Sequence, residues 1–197
     1  MEMKQVEELL LQSLEHEMGG VKVYATAVEC AVDSRLREEW TKYLDETRKH
    51  VARLEAVCEA MGVDAGRETP GRGVVRHLGG ALVEAMKQAA AAGPPEAAQL
   101  VAAECVVLAE TKDHLDWELI GKCAEKLDGG AAAAMKEAYD LVEDQEDEHL
   151  YHSRGWCREL WIQSLGLSAV LPPPEEVRKV KTAIGAAKAE QAAEKLR

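Results

Sequence analysis

The sequence contains no phenylalanine, and aromatic residues make up only 4% of it. No stretch alternates β-branched or aromatic residues with polar ones at the period of two that half-buried strands require. No apolar run reaches the roughly 18–20 residues that span a bilayer, and the charged N-terminus does not resemble a secretion signal. These absences predict an all-α protein without a membrane span, for which the cytoplasm is the expected location.

Closely spaced cysteines are also missing. The number of cysteines is odd, and no two are closer than 18 residues: Cys30, Cys58, Cys105, Cys123 and Cys157. This spacing fits neither a cysteine zinc ribbon nor a disulfide framework, so single buried thiols are expected.

Positive charge is scarce relative to negative charge. The chain has 24 Lys and Arg against 36 Asp and Glu, a formal net charge of −12. This balance opposes binding to nucleic acid or to an anionic membrane, and it suits a protein that attracts cations.

The 197 residues have room for one sizeable domain. Four long segments have helical periodicity: Lys4–Val32, Ser34–Met61, Pro95–Leu127 and Gly130–Gly166. Tight breaks at Asp33-Ser34 and at Asp128-Gly129-Gly130 predict that the first two helices, and likewise the last two, form antiparallel hairpins.

The segment between the hairpins, residues 62–94, contains a shorter helical stretch, Val74–Ala92. A connection of this length lets the second and third long helices run parallel, which predicts a four-helix bundle with one crossover. The bundle is expected to cover residues 1–171. Residues 172–197 are expected to form a proline-rich break and a polar helix that is loosely attached or used for assembly.

Ionisable residues interrupt the inward faces of the four long helices, which are otherwise apolar or aromatic: Glu17, His50, Glu110, His114, Glu146 and His149. Glu17 lies 16 residues before Asp33 and His50 lies 17 after it, so the two face each other across the first hairpin. Glu110 and His149 are placed similarly about Gly129, at 19 and 20 residues. Burying unpaired carboxylates costs several kcal/mol each, so a bound cation is the expected partner of this layer.

The fourth long helix contains the pair Glu146-x-x-His149, which resembles the helix signature of the ferritin-like di-iron carboxylate proteins, including rubrerythrin and bacterioferritin. Glu17 and Glu110 resemble the same family's lone inward glutamates. The resemblance covers about residues 4–165. It implies a ferritin-like bundle with two iron ions, or manganese in their place, in which Glu17, Glu110 and Glu146 bridge or chelate.

His50 and His149 would be terminal ligands in this resemblance, but the second helix departs from the family pattern. Thr47 stands three residues before His50, where the family has glutamate, and Glu46 lies one position earlier. A rearranged ligand set that uses Glu46 and His114, a site for one metal, and a site for none all stay open.

The resemblance further implies oxidative chemistry of reduced iron with oxygen or peroxide, like that of a ferroxidase or peroxidase, although no catalytic residue is assigned. The alternatives are a non-catalytic helical assembly protein and a metal store without turnover. Trp156 and Trp161 are candidates for the contacts of a homodimer.

Overall fold

The computed structural model describes residues 1–197 and contains seven helices and no strands. The all-α class is therefore confirmed. The helices are α1 Met3–Cys30, α2 Ser34–Met61, α3 Pro70–Ala92, α4 Pro95–Ala124, α5 Gly129–Ser164, α6 Pro174–Val177 and α7 Ala183–Glu194. None of them combines the length and the apolar character that crossing a membrane requires.

Local sequence explains where the helices start and stop. The Asp33 carboxylate accepts a hydrogen bond from the backbone N–H of Arg35 and caps α2. Gly62, with a φ of 69°, ends the same helix in the left-handed conformation that glycine adopts at low cost. Thr69 caps α3 and Pro70 occupies its first turn, so this helix starts four residues before the predicted Val74.

The four long helices form a square in which all neighbours are antiparallel. Besides the two hairpins, α1 packs on α4 and α2 packs on α5, whereas the backbones of the diagonal pairs do not approach closely. Near the end of α1, the backbone N–H of Val32 donates to Gln99 at the start of α4, which fixes the antiparallel direction of that pair. The predicted parallel arrangement of α2 and α4 follows from this geometry.

The crossover helix α3 packs on the outside of α1 and α4. Gly19 and Gly79 meet where α1 and α3 cross, and a Cβ on Gly79 would lie 3.7 Å from the Cα of Gly19. A buried ion pair holds the start of the helix, because Glu15 accepts hydrogen bonds from both Arg72 and Arg76.

The apolar core consists of two separate clusters along the bundle axis. One contains the C-terminal half of α1, the start of α2, the first half of α4 and the end of α5. The other contains the opposite halves of the same four helices. The layer between them contains the ionisable residues that the sequence placed at mid-height.

The C-terminal tail is docked more firmly than predicted. Ala189 and Ala193 of α7 are fully buried, and Ala189 shares a small apolar cluster with Leu150 and Tyr151 of α5. The small alanine side chains let α7 approach α5 closely, although its apolar face is narrow. The same region corrects the dimer prediction for Trp156, which is 1% exposed and donates a hydrogen bond to Glu176 in α6.

Candidate metal centre

Five ionisable side chains meet between the two apolar clusters, and each is at most 3% exposed. They come from all four long helices: Glu17 from α1, His50 from α2, Glu110 from α4, and Glu146 and His149 from α5. The three-residue step between Glu146 and His149 brings both side chains to the same face of α5. The structure thus brings together five of the seven metal ligands that the sequence predicts.

The first group consists of Glu17, His50 and Glu146. The Nδ1 atom of His50 lies 3.3 Å from a carboxylate oxygen of Glu17 and 3.0 Å from one of Glu146. One potential ligand atom from each residue lies within 4.8 Å of the other two, which is close enough for one ion to contact all three.

The second group consists of Glu110, Glu146 and His149. The Nδ1 atom of His149 lies 3.6 Å from a Glu110 oxygen and 3.5 Å from a Glu146 oxygen. One potential ligand atom from each of these three residues also lies within 4.8 Å of the other two. Glu146 belongs to both groups, and a carboxylate with two oxygens can bridge two cations.

Outer hydrogen bonds orient both imidazole rings. The Nε2–H of His50 donates to the side-chain oxygen of Gln145 at 2.8 Å, and the Nε2–H of His149 donates to Glu46 at 3.0 Å. In the neutral rings these bonds leave the lone pair on Nδ1, the atom that faces the carboxylates. A histidine ligand held at its other nitrogen by an amide or carboxylate is typical of protein metal sites.

Further side chains contact the members of the two groups from outside. The indole N–H of Trp117 donates to Glu17 at 2.7 Å. The ring of Tyr43 lies against that of His149, with centroids 4.1 Å apart, and its hydroxyl contacts His152 at 2.9 Å. These contacts reduce the rotational freedom of the inner side chains.

Several buried polar atoms in the layer have no hydrogen-bond partner. Six of them belong to the two groups: one oxygen of Glu17, one of Glu110, both of Glu146, and the Nδ1 atoms of His50 and His149. Leaving a buried polar group unpaired costs about 1–3 kcal/mol, and more when the group is charged. Nitrogen and carboxylate donors of this kind suit iron, manganese or zinc. The residues present therefore fit a metal centre.

Burial and the crowding of acidic groups shift the pKa values of the side chains in the layer. Burial raises the pKa of Glu17 to about 7, although His50 opposes the shift. Burial lowers the pKa of His149, but the neighbouring carboxylates of Glu110, Glu46 and Glu146 outweigh it and raise the value to about 9. Both imidazoles thus hold protons that a metal ion would displace on binding.

Asp113 is a buried acidic residue that the sequence did not single out. It is 4% exposed, and its Oδ1 atom has no hydrogen-bond partner. Burial, together with the nearby carboxylates of Glu17 and Glu146, raises its pKa well above the usual range. Asp113 therefore adds a fourth carboxyl group to the neighbourhood of the two groups, on the helix that carries Glu110.

Two predicted ligands lie outside both groups. Glu46 contacts the Nε2 atom of His149, on the opposite side of the ring from the other carboxylates. His114 is paired with Asp147 at 2.8 Å, and its side chain is 20% exposed. Thr47 stands where the ferritin-like pattern has a carboxylate. It is buried, and its hydroxyl donates to the backbone carbonyl of Tyr43.

Comparison of the chain with protein-family models, with curated proteins and with solved structures found no match.

Proposed function

We propose that this chain is a ferritin-like metalloprotein that binds two ions, iron or alternatively manganese, in the layer between its two apolar clusters. Glu17 and His50 would hold the first ion, Glu110 and His149 the second, and Glu146 would bridge them. The observation that carries the proposal is the position of Glu146, which belongs to both carboxylate-histidine groups and has no hydrogen-bond partner at either oxygen.

Iron bound at such a site would supply oxidation chemistry with oxygen or peroxide. The protein side chains have separate roles in this proposal. The three glutamates neutralise the positive charge of the cations, and the apolar clusters above and below restrict the access of water. Gln145 and Glu46 hold the histidine rings with Nδ1 directed inward.

Anaerobic addition of ferrous iron to the metal-free protein tests the binding site. We expect about two iron ions per chain, as in the di-iron carboxylate bundles. The variant Glu146→Gln is expected to bind little iron at either position, because both positions use the carboxylate of Glu146. Glu137→Gln, which changes an exposed glutamate on the same helix, is the matched control and should retain both. Wild-type protein that retains no iron after this treatment would refute the proposal.

One alternative function is that of a non-catalytic helical assembly protein, which the missing carboxylate at Thr47 favours. The other is that of a metal store, which would bind iron without turnover. Mixing the ferrous-loaded protein with oxygen in a stopped-flow spectrometer separates them. A ferroxidase-like protein should develop ferric absorbance faster than the same iron in buffer. A store should bind iron without this acceleration, and an assembly protein should not bind it.

A further inference from the structure

A polar cavity of about 180 Å³ opens between α4 and α5, next to the residues of the C-terminal tail that precede α7. His114, Trp117 and Glu118 of α4 and Glu143, Glu146 and Asp147 of α5 line it. This cavity contains one of the predicted ligands that the candidate metal centre does not use, His114.

The inner end of the cavity is the candidate metal centre itself. Glu146 lines the cavity although it is only 1% exposed, and neither of its oxygens has a hydrogen-bond partner. Trp117, also 1% exposed, is the residue whose indole N–H donates to Glu17. The cavity therefore connects the protein surface with the carboxylate that the two ligand groups share.

Negative charge dominates the walls of the cavity. Glu118 and Glu143 face it. Asp147 also lines it and lies 2.8 Å from His114, and about a fifth of the Asp147 side chain and of the His114 side chain is exposed. Lys181 is the basic residue in the lining, but Asp144 and Glu148 contact its ammonium group at 2.9 and 3.2 Å. A pocket lined by one sign of charge concentrates ions of the opposite sign and speeds their arrival.

Another cavity near the layer has the opposite character. It has a volume of about 290 Å³, lies between α1, α3 and α4, and is lined mainly by aliphatic residues such as Val75, Leu78 and Leu82. Its lining includes no carboxylate. Because a hydrated cation gains nothing from such walls, this second cavity is the less favourable path for an ion.

We infer that the polar cavity is the entry route for divalent cations to the metal centre, and that His114 and Asp147 form a transient outer site on it. The inference rests on the proposed function, since it assumes that the inner layer binds metal. An imidazole and a carboxylate offer two ligands at the surface, and Glu118 and Glu143 add attraction without filling the path. The ion then moves inward to Glu146, where the other two residues of the first or the second group complete its protein ligands.

The rate of Co²⁺ binding to the metal-free protein tests the route, because Co²⁺ develops visible absorption bands when imidazole and carboxylate ligands replace water. We expect the Glu118→Gln/Asp147→Asn double variant to bind Co²⁺ about tenfold more slowly than the wild type, with a weaker dependence on salt. The final amount of bound Co²⁺ should be unchanged. Asp140→Asn removes one carboxylate of α5 that is exposed and paired with Lys136, and it should bind at the wild-type rate.

Because Asp147 adjoins Glu146 in sequence, Glu118→Gln alone serves as the second variant. Glu118 lies on α4, eight residues after Glu110, and belongs to neither group. This change should still slow binding severalfold. Normal final binding at the wild-type rate in both variants would overturn the entry route and leave the metal site intact. Absence of Co²⁺ binding by the wild type would overturn both the route and the proposed function.

Discussion

At the scale of single residues, ring orientation decides what the polar layer can bind. His50 and His149 both direct Nδ1 toward the carboxylates, and each has its Nε2 atom held by a side chain outside the layer. An imidazole that turned its ring by half a revolution would offer the other nitrogen at a different distance. The outer hydrogen bonds to Gln145 and Glu46 therefore determine the geometry available to a cation.

Replacement of Glu46 by glutamine tests whether this residue orients His149 or binds metal itself. As an outer partner, its loss should weaken metal binding about 10- to 100-fold while the number of ions bound at saturation stays the same. Isothermal titration with Co²⁺ measures both quantities. Asp45→Asn, a change at an exposed neighbour paired with Arg48, should leave both unchanged. A lower number of ions at saturation in Glu46→Gln would identify Glu46 as a ligand.

The inward glutamates and histidines are predictable from the sequence because they interrupt apolar faces, but the periodicity does not resolve neighbouring positions on one helix. Successive residues differ by about 100° around the axis, so Glu46 and Thr47 point in different directions. On α4, Asp113 and His114 lie on either side of the Glu110 line, and packing against both α1 and α5 decides which one is buried. The sequence pattern therefore does not identify Asp113 as buried. It predicts an inward position for His114, whose side chain instead pairs with Asp147 near the surface.

At the scale of the elements, the crossover helix is held to the bundle by charge as well as by apolar contact. Glu15 is 5% exposed and Arg72 is 4% exposed, and they are joined at 2.9 Å, with Arg76 adding a second guanidinium. Arg72 also donates to the backbone carbonyls of Ala65 and Arg67, so one side chain links the loop before α3 to α1. The periodicity of α3 did not predict this contact, since it depends on how two distant segments meet.

We expect Glu15→Gln to lower the free energy of unfolding by about 3 kcal/mol, because it leaves a buried guanidinium without its counter-charge. Denaturant unfolding measures the change. Glu7→Gln breaks a solvent-exposed pair with Arg67 and should cost less than about 1 kcal/mol. Equal costs for the two variants would contradict the importance of the buried pair.

The same pair makes stability depend on pH in a definite direction. Hydrogen bonds from Arg76 and Arg72 lower the pKa of Glu15 below its usual 4.5. The stabilising contribution is therefore complete above that value and is lost as the pH falls through the lower folded-state pKa. Glu15→Gln should accordingly lose less stability than the wild type on acidification below about pH 4.5.

At the scale of the whole molecule, the bundle has two apolar cores separated by a charged layer. The helix order, the hairpins and the position of the crossover were all predictable, because breaks and periodicity are local properties of the chain. The docking of α7 on α5 was not, since burial of Ala189 and Ala193 depends on close approach rather than on a wide apolar face. The layer also contains buried polar atoms without hydrogen-bond partners from all four long helices, so a cation bound there should stabilise these helices together.

Metal binding should therefore raise the thermal midpoint of the protein. Each ion bound from free Co²⁺ at 100 times its dissociation constant adds about 2.7 kcal/mol to the stability of the folded state. For a chain of this length, that corresponds to a rise of about 5–10 °C. Differential scanning calorimetry with and without Co²⁺ measures the shift, and a chelator should reverse it. The His149→Ala variant should show a smaller shift, and an equal one would argue against His149 as a ligand.

The two ligand groups join different helices, and this difference affects how the bundle unfolds. Glu110, Glu146 and His149 all belong to the α4–α5 hairpin, whereas Glu17 and His50 belong to the α1–α2 hairpin and meet Glu146 across the interface. An ion in the second group closes a loop within one hairpin, but an ion in the first group ties the two hairpins to each other. Separation of the hairpins then requires rupture of coordination bonds, so occupancy of the first group should slow the unfolding rate as well as shift the equilibrium.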